Sequence, residues 1–159
     1  MYVPPQILCG TFHTVFDDKT SQAEVFSSSV EPILPHVLKG QNVSVFAYGP
    51  TGAGKTYTML GMNSDPGIIP RVIQALFKAI DLEKTSPLKD GMSQPPQFQV
   101  TFSYMEIYNE KVHDLLVSSH QDLPIREDAS HNIFVADLTE KSIDGFKPFM
   151  SHFEPAARN

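Results

Sequence analysis

Gly49-Pro50-Thr51-Gly52-Ala53-Gly54-Lys55-Thr56 has the residue types and spacing to bind phosphate groups, as a full match to GxxxxGK[ST]. Its glycines let backbone N–H groups close around phosphate oxygens where a Cβ would intrude. A helix starting near Lys55 would point its positive end at the same anion. The Lys55 ammonium would neutralise β/γ-phosphate charge, and the Thr56 hydroxyl would ligate Mg²⁺. At average residue usage, four fixed positions match by chance in fewer than about one chain of this size in a hundred. A merely structural glycine turn is therefore a poor rival.

A second carboxylate could complete such a site. Ile133-Phe134-Val135-Ala136-Asp137 is an apolar run ending in Asp, as a magnesium-binding Walker B strand would be. With Asp137 in that role, the chain would be a small stand-alone P-loop NTPase or kinase. The other reading of the same residues is an exposed hairpin strand with a solvated Asp. The remaining candidates have plainer readings. The six histidines (13, 36, 113, 120, 131 and 152) show no metal-ligand spacing. Glu106, Glu110 and Asp114 stand at four-residue steps and read as one solvated face. Phe149 and Phe153 read as core.

The loop needs a strand before it and a helix after it, and the sequence offers both. Val43-Ser44-Val45-Phe46-Ala47-Tyr48 is a β-rich apolar run suited to a strand buried in the middle of a sheet. A helix is expected from Lys55 and another over Ile68–Ile80, with Val72, Leu76, Ala79 and Ile80 on one side. Upstream, Ser21 and Glu24 have capping-box spacing ahead of a helical pattern from Val25 to Leu38. Pro32 and Pro35 interrupt that pattern and predict a break or kink, and Lys39-Gly40 ends it. Residues 84–97 read as a surface loop. Phe98, Val100, Phe102 and Tyr104 alternate as a half-buried strand, and the phase shifts at Met105 and Ile107. A short helix is expected through Val112, Leu115 and Leu116, a hairpin over 123–138 around Ser130-His131-Asn132, and a last amphipathic helix from Phe146. Alternating helices and strands predict an α/β fold.

Composition sets outer limits. The 159 residues are 41% hydrophobic and 19% charged, enough for the core of one domain and unlike a disordered chain. A net charge of −6 excludes a surface that is basic throughout, as general polyanion binding requires. The lone Cys9 excludes an internal disulfide framework and fits a reducing compartment. The first residues lack the pattern of a secretory signal. No apolar run approaches the roughly 20 residues that cross a bilayer, so a soluble chain without a membrane partner is expected.

Beyond the loop itself, Phe46-Ala47-Tyr48 before it and Tyr57-Thr58-Met59 after it make the whole segment resemble the P-loop of kinesin motor domains. Val15-Phe16-Asp17, Gln22 to Phe26, Gly67-Ile68-Ile69-Pro70-Arg71 and Ile125-Arg126-Glu127-Asp128 are similar to further kinesin segments. Tyr104-Met105-Glu106-Ile107-Tyr108-Asn109-Glu110-Lys111-Val112-His113-Asp114-Leu115-Leu116 resembles the family's YLEIYNE region. Pro50 and the closing Pro155-Ala156-Ala157-Arg158-Asn159 are most similar to Kid-type chromokinesins. The resemblance implies a three-layer P-loop NTPase fold and binding of ATP or ADP with Mg²⁺ through Gly49, Pro50, Thr51, Gly52, Ala53, Gly54, Lys55, Thr56 and Tyr57. Thr56 would be the metal ligand and Tyr57 one face for adenine. It also implies hydrolysis coupled to movement on microtubules, with Arg126 a microtubule contact or a surface ion pair. Location in the cytoplasm on the cytoskeleton follows, at the spindle or chromosomes for a chromokinesin. Nucleic acid enters as a partner only through a chromokinesin tail. The family's RxRP adenine segment, switch I (NxxSSR) and switch II (DLAGSE) do not occur among these residues. The expectation is thus an incomplete motor domain: residues 1–159 as its ATP-binding half, without first strand, switches or neck, and inactive in hydrolysis alone. A truncated product acting only by binding is a further alternative.

Overall fold

Ser21 starts the first helix, α1 (Gln22–Ser29), through a reciprocal cap. Its hydroxyl accepts from the Glu24 N–H at 3.3 Å, and the Glu24 carboxylate accepts from the Ser21 N–H at 2.8 Å. Two donors that the helix start would leave unpaired are thereby satisfied. The prolines then divide the apolar pattern as expected. A 3₁₀ turn (Glu31–Ile33) and helix α2 (Leu34–Leu38) each carry a proline in the first turn, where no N–H is needed. Gly40, at φ +83°, ends the run.

The computed structural model describes residues 11–86, 94, 96–118 and 121–158. Cys9, His120 and most of the 84–97 loop lie outside these. Helix α3 (Lys55–Met59) follows the glycine loop, and the strands β1 (Gly61–Met62) and β2 (Asp65–Pro66) form a tight hairpin after it. Helix α4 (Ile68–Thr85) runs five residues past the expected Ile80. Asp81 to Thr85 contain no breaker, and the helix stops at Ser86, which takes an extended conformation before Pro87.

The remaining strands also pair in twos, all antiparallel. β3 (Val100–Phe102) pairs with β8 (Lys141–Ile143), β4 (Met105–Tyr108) with β5 (Lys111–Asp114), and β6 (Ile125–Glu127) with β7 (Ile133–Val135). The break between β3 and β4 falls where the apolar phase shifts. The expected 123–138 hairpin is present. Its tip is held by the Asp128 carboxylate, which accepts from the N–H groups of Ser130 and Asn132 and from the Asn132 amide. Helix α5 (Phe146–Ala156) comes last.

Three expectations are corrected. Val43–Tyr48 is not a buried central strand: no strand among the described residues pairs with it, Phe46 is 87% exposed and Tyr48 fully so. An apolar run becomes a central strand only where strands lie on both sides to take up its backbone groups. The segment through Val112 is not a short helix. Tyr108 sits opposite Lys111, and Asn109 and Glu110 between them have φ +49° and +59°. That two-residue loop matches the right-handed strand twist and closes a hairpin. Asp114 is therefore not on a solvated face with Glu106 and Glu110. It is buried, and its carboxylate accepts from the Leu116 and Thr139 N–H groups, each at 2.8 Å.

Two apolar clusters form on α4. On one side Ile68 meets Phe26, Val30 and Leu34, joined by Met59, Val72 and Ala75. On the other, Ile69, Ile73 and Phe77 pack against Ile143, Phe149 and Phe153, together with Val100, Phe102 and Tyr104. Phe149 is the centre of the second: Phe102 meets it edge-on at 5.1 Å and Phe153 stacks on it at 4.9 Å.

Phe149→Ala should destabilise the fold by about 3–5 kcal/mol, read as a lower urea midpoint, because it empties a site touched from α4, β3 and α5. The cap on α1 gives a pH signature. The Ser21 N–H, and then its hydroxyl, hold the exposed Glu24 carboxyl below the usual range. A depressed folded-state value stabilises the helix start above the unfolded value and stops doing so as pH falls through the folded one. NMR titration of Glu24 should show its midpoint rising towards the ordinary value in Ser21→Ala.

Candidate functional site

Between Gly49 and Thr56 the backbone takes conformations that side chains resist. Gly49, Gly52 and Gly54 have φ of +157°, +82° and +83°. A Cβ added at Gly52 or Gly54 would meet nothing within 4 Å, so these residues serve the backbone path, and open space lies beside them. The loop is closed by an Ala53 N–H donating to the Pro50 carbonyl at 3.2 Å. Gly54 then caps α3, accepting from the Thr58 N–H at 2.9 Å. The N–H groups of Lys55, Thr56 and Tyr57 open the helix and so have no acceptor one turn back within it.

Lys55 lies across this loop. Its ammonium donates to the carbonyls of Gly49 and Pro50, at 2.9 Å each, and no carboxylate among the described residues pairs with it. The cation is thus parked on weak neutral acceptors, which an arriving anion would outbid. The Thr56 hydroxyl is exposed one residue on. Free donors, an uncommitted cation, open glycine backbone and an exposed hydroxyl fit a nucleotide phosphate chain with a magnesium ion. Tyr57 carries its ring 48% exposed at the edge of the loop.

Several residues that hold Tyr57 and the end of α3 escaped the sequence reading. Gln22 is buried in α1 and donates its amide to the Tyr57 carbonyl at 2.5 Å. Asp65 faces the Tyr57 hydroxyl at 3.4 Å and accepts from Arg71 at 2.9 Å, while Arg71 Nε donates to the Pro66 carbonyl at 2.8 Å. Gly61 and Gly67 let the hairpin close on α3: a Cβ on Gly61 would lie 2.1 Å from the Gly67 nitrogen, and one on Gly67 would lie 2.6 Å from the Thr58 carbonyl oxygen. The six-residue spacing of these two glycines after a P-loop helix was the available signal. A buried Gln leaves none.

The other candidates do not join the site. Asp137 is exposed at φ +62°, just after β7, whose strand partner is β6 rather than any segment flanking the loop. Among the described residues no group of three His, Cys, Asp or Glu is placed to hold a metal. His36 bonds Gln41, His131 contacts Glu127 at the hairpin tip, and the ring of His113 has a buried Nδ1 without a partner. Arg126 is exposed on β6. No helix among the described residues is long and apolar enough to cross a membrane.

Residues 9–159 match the kinesin motor domain family. Among curated relatives, kinesin-like protein KIF22 of Danio rerio is 50% identical over 148 residues, which is 93% of this chain and 22% of that protein. KIF22-B of Xenopus laevis is 48% identical over the same shares. The human chromosome-associated kinesin KIF4A is 43% identical over 158 residues, 89% of this chain and 12% of the relative. The chain thus spans about a fifth of the KIF22 proteins it matches. A family match that begins before α1 and runs through α5 takes in the glycine loop and every element described around it, and on that ground the chain belongs to the kinesin family.

Proposed function

We propose that Gly49–Tyr57 holds ATP or ADP with Mg²⁺, as the nucleotide-binding part of a motor domain that hydrolyses ATP to move along microtubules. The observation that carries this reading is the Lys55 ammonium lying across the mouth of a glycine loop, with carbonyls as its only partners among the described residues. The N–H groups of Gly52, Gly54, Lys55 and Thr56 would take the phosphate oxygens, and Lys55 would leave Gly49 and Pro50 for the β/γ-phosphates. Thr56 would hold the magnesium ion, which when bound neutralises charge between those phosphates. Tyr57 offers adenine one face. No RxRP segment among these residues offers the other.

In this reading the chain is an incomplete three-layer P-loop domain, and the exposed Phe46 and Tyr48 support it as large aromatic surface left uncovered. Microtubules are the proposed partner, with a place on the cytoskeleton. The likeness to the chromosome-associated kinesin KIF4A supports a chromosome-associated role. Nucleic acid would be reached only through a chromokinesin tail. The stand-alone NTPase reading has lost its support with Asp137 in a separate hairpin.

Titration calorimetry with Mg·ADP should show binding that Lys55→Ala abolishes; equal heats from the variant would remove the site. Hydrolysis needs a positioned water and stabilisation of leaving charge, which the family assigns to NxxSSR and DLAGSE segments. Neither occurs in this sequence. Residues 1–159 alone should therefore release no phosphate above background, with or without microtubules. Release that scales with protein and vanishes in Lys55→Ala would contradict this.

A further inference from the structure

The half-exposed ring of Tyr57 is held from two directions, and neither contact involves the phosphate loop. At the main chain, buried Gln22 reaches from α1 to the Tyr57 carbonyl. At the phenol, the hydroxyl faces Oδ2 of Asp65. Asp65 has little freedom of its own. Its Oδ1 accepts from Arg71 Nη2 at 2.9 Å, and Arg71 is fixed in turn by the bond from its Nε to the Pro66 carbonyl. The hairpin that carries Asp65 is joined to α3 by the Gly67 N–H, which donates to the Leu60 carbonyl at 3.0 Å. The glycine contacts around Thr58 leave no room for slippage. The distance between the Tyr57 ring and the Asp65 carboxylate is therefore set by the fold.

We propose that Asp65, fixed by Arg71, is a positioning residue that orients the Tyr57 ring for a purine base. The proposal rests on the reading of Gly49–Tyr57 as a nucleotide site and adds to it a determinant of base affinity. A ring orientated before the ligand arrives saves the ordering cost of stacking. The contact itself is long for an O–H···O bond, so its effect is on orientation and should be severalfold rather than absolute. Phosphate affinity should not depend on it, because that role falls to Lys55 and the loop N–H groups, while Asp65 bonds Tyr57 and Arg71.

Binding of Mg·ADP and of Mg·pyrophosphate, which lacks a base, separates the roles. Asp65→Ala should weaken ADP about three- to tenfold and leave pyrophosphate unchanged. Asp65→Asn keeps an acceptor oxygen towards the phenol and should retain most of the ADP affinity. Tyr57→Phe should lose as much as Asp65→Ala, and the double variant no more than either. Equal weakening of both ligands by Asp65→Ala would mean a general structural role and overturn the proposal. So would an undiminished Asp65→Ala effect in the Tyr57→Phe background. Should Asp65→Ala fail to fold, Tyr57→Phe decides alone, with unchanged ADP affinity overturning the proposal. Pyrophosphate and ADP binding that both survive Lys55→Ala would instead sink the nucleotide site itself, a separable result.

Discussion

Around Gly67 the backbone approaches the carbonyl of Thr58 and the nitrogen of Gly61 so closely that no side chain fits between them. This contact fixes where the helix of the glycine loop ends and where α4 begins. Because α4 is apolar on two sides, its placement determines both cores: α1 and α2 gather on one flank, β3, β8 and α5 on the other. The loop residues are thus held from below by packing that involves none of them. Their own conformation requires only glycines at the positions of positive φ.

What could be read from the sequence was local. The cap on α1, the proline breaks, the Asp128 hairpin and the GxxxxGK[ST] loop each depend on residues within a turn or two of one another, so type and spacing carry the information. The failures share the opposite property. Val43–Tyr48 is apolar enough for a strand, but strand formation is a matter of neighbours far along the chain, and none among the described residues pairs with it. Val112, Leu115 and Leu116 have helical spacing, yet the turn at Asn109-Glu110 overrides it by bringing Lys111 back onto Tyr108. Gln22, Asp65 and Arg71 meet Tyr57 only in three dimensions, and no pattern along the chain joins them to the loop.

Acidic residues exceed basic ones, but several are engaged by hydrogen bonds that hold turns and loops. Asp17 accepts from the Lys19 N–H and the Thr20 hydroxyl, Asp122 from the Val112 N–H, Asp114 from Leu116 and Thr139, and Asp128 from its hairpin tip. The side-chain bond from Thr20 is the main reason that the Asp17 carboxyl sits below its ordinary range, and that from Asn132 does the same for Asp128. These carboxylates shape turns by standing in for backbone acceptors. The negative charge of the chain is in part a consequence of how its loops are built.

Helix α4 has one more consequence. Eighteen residues at a rise of 1.5 Å make a rod about 27 Å long. Its near end is seated on the glycine contact beside the loop, and its far end stands at Ser86. A stiff rod seated this way is a lever. A tilt of about 5° at the seat would carry the far end through about 2 Å.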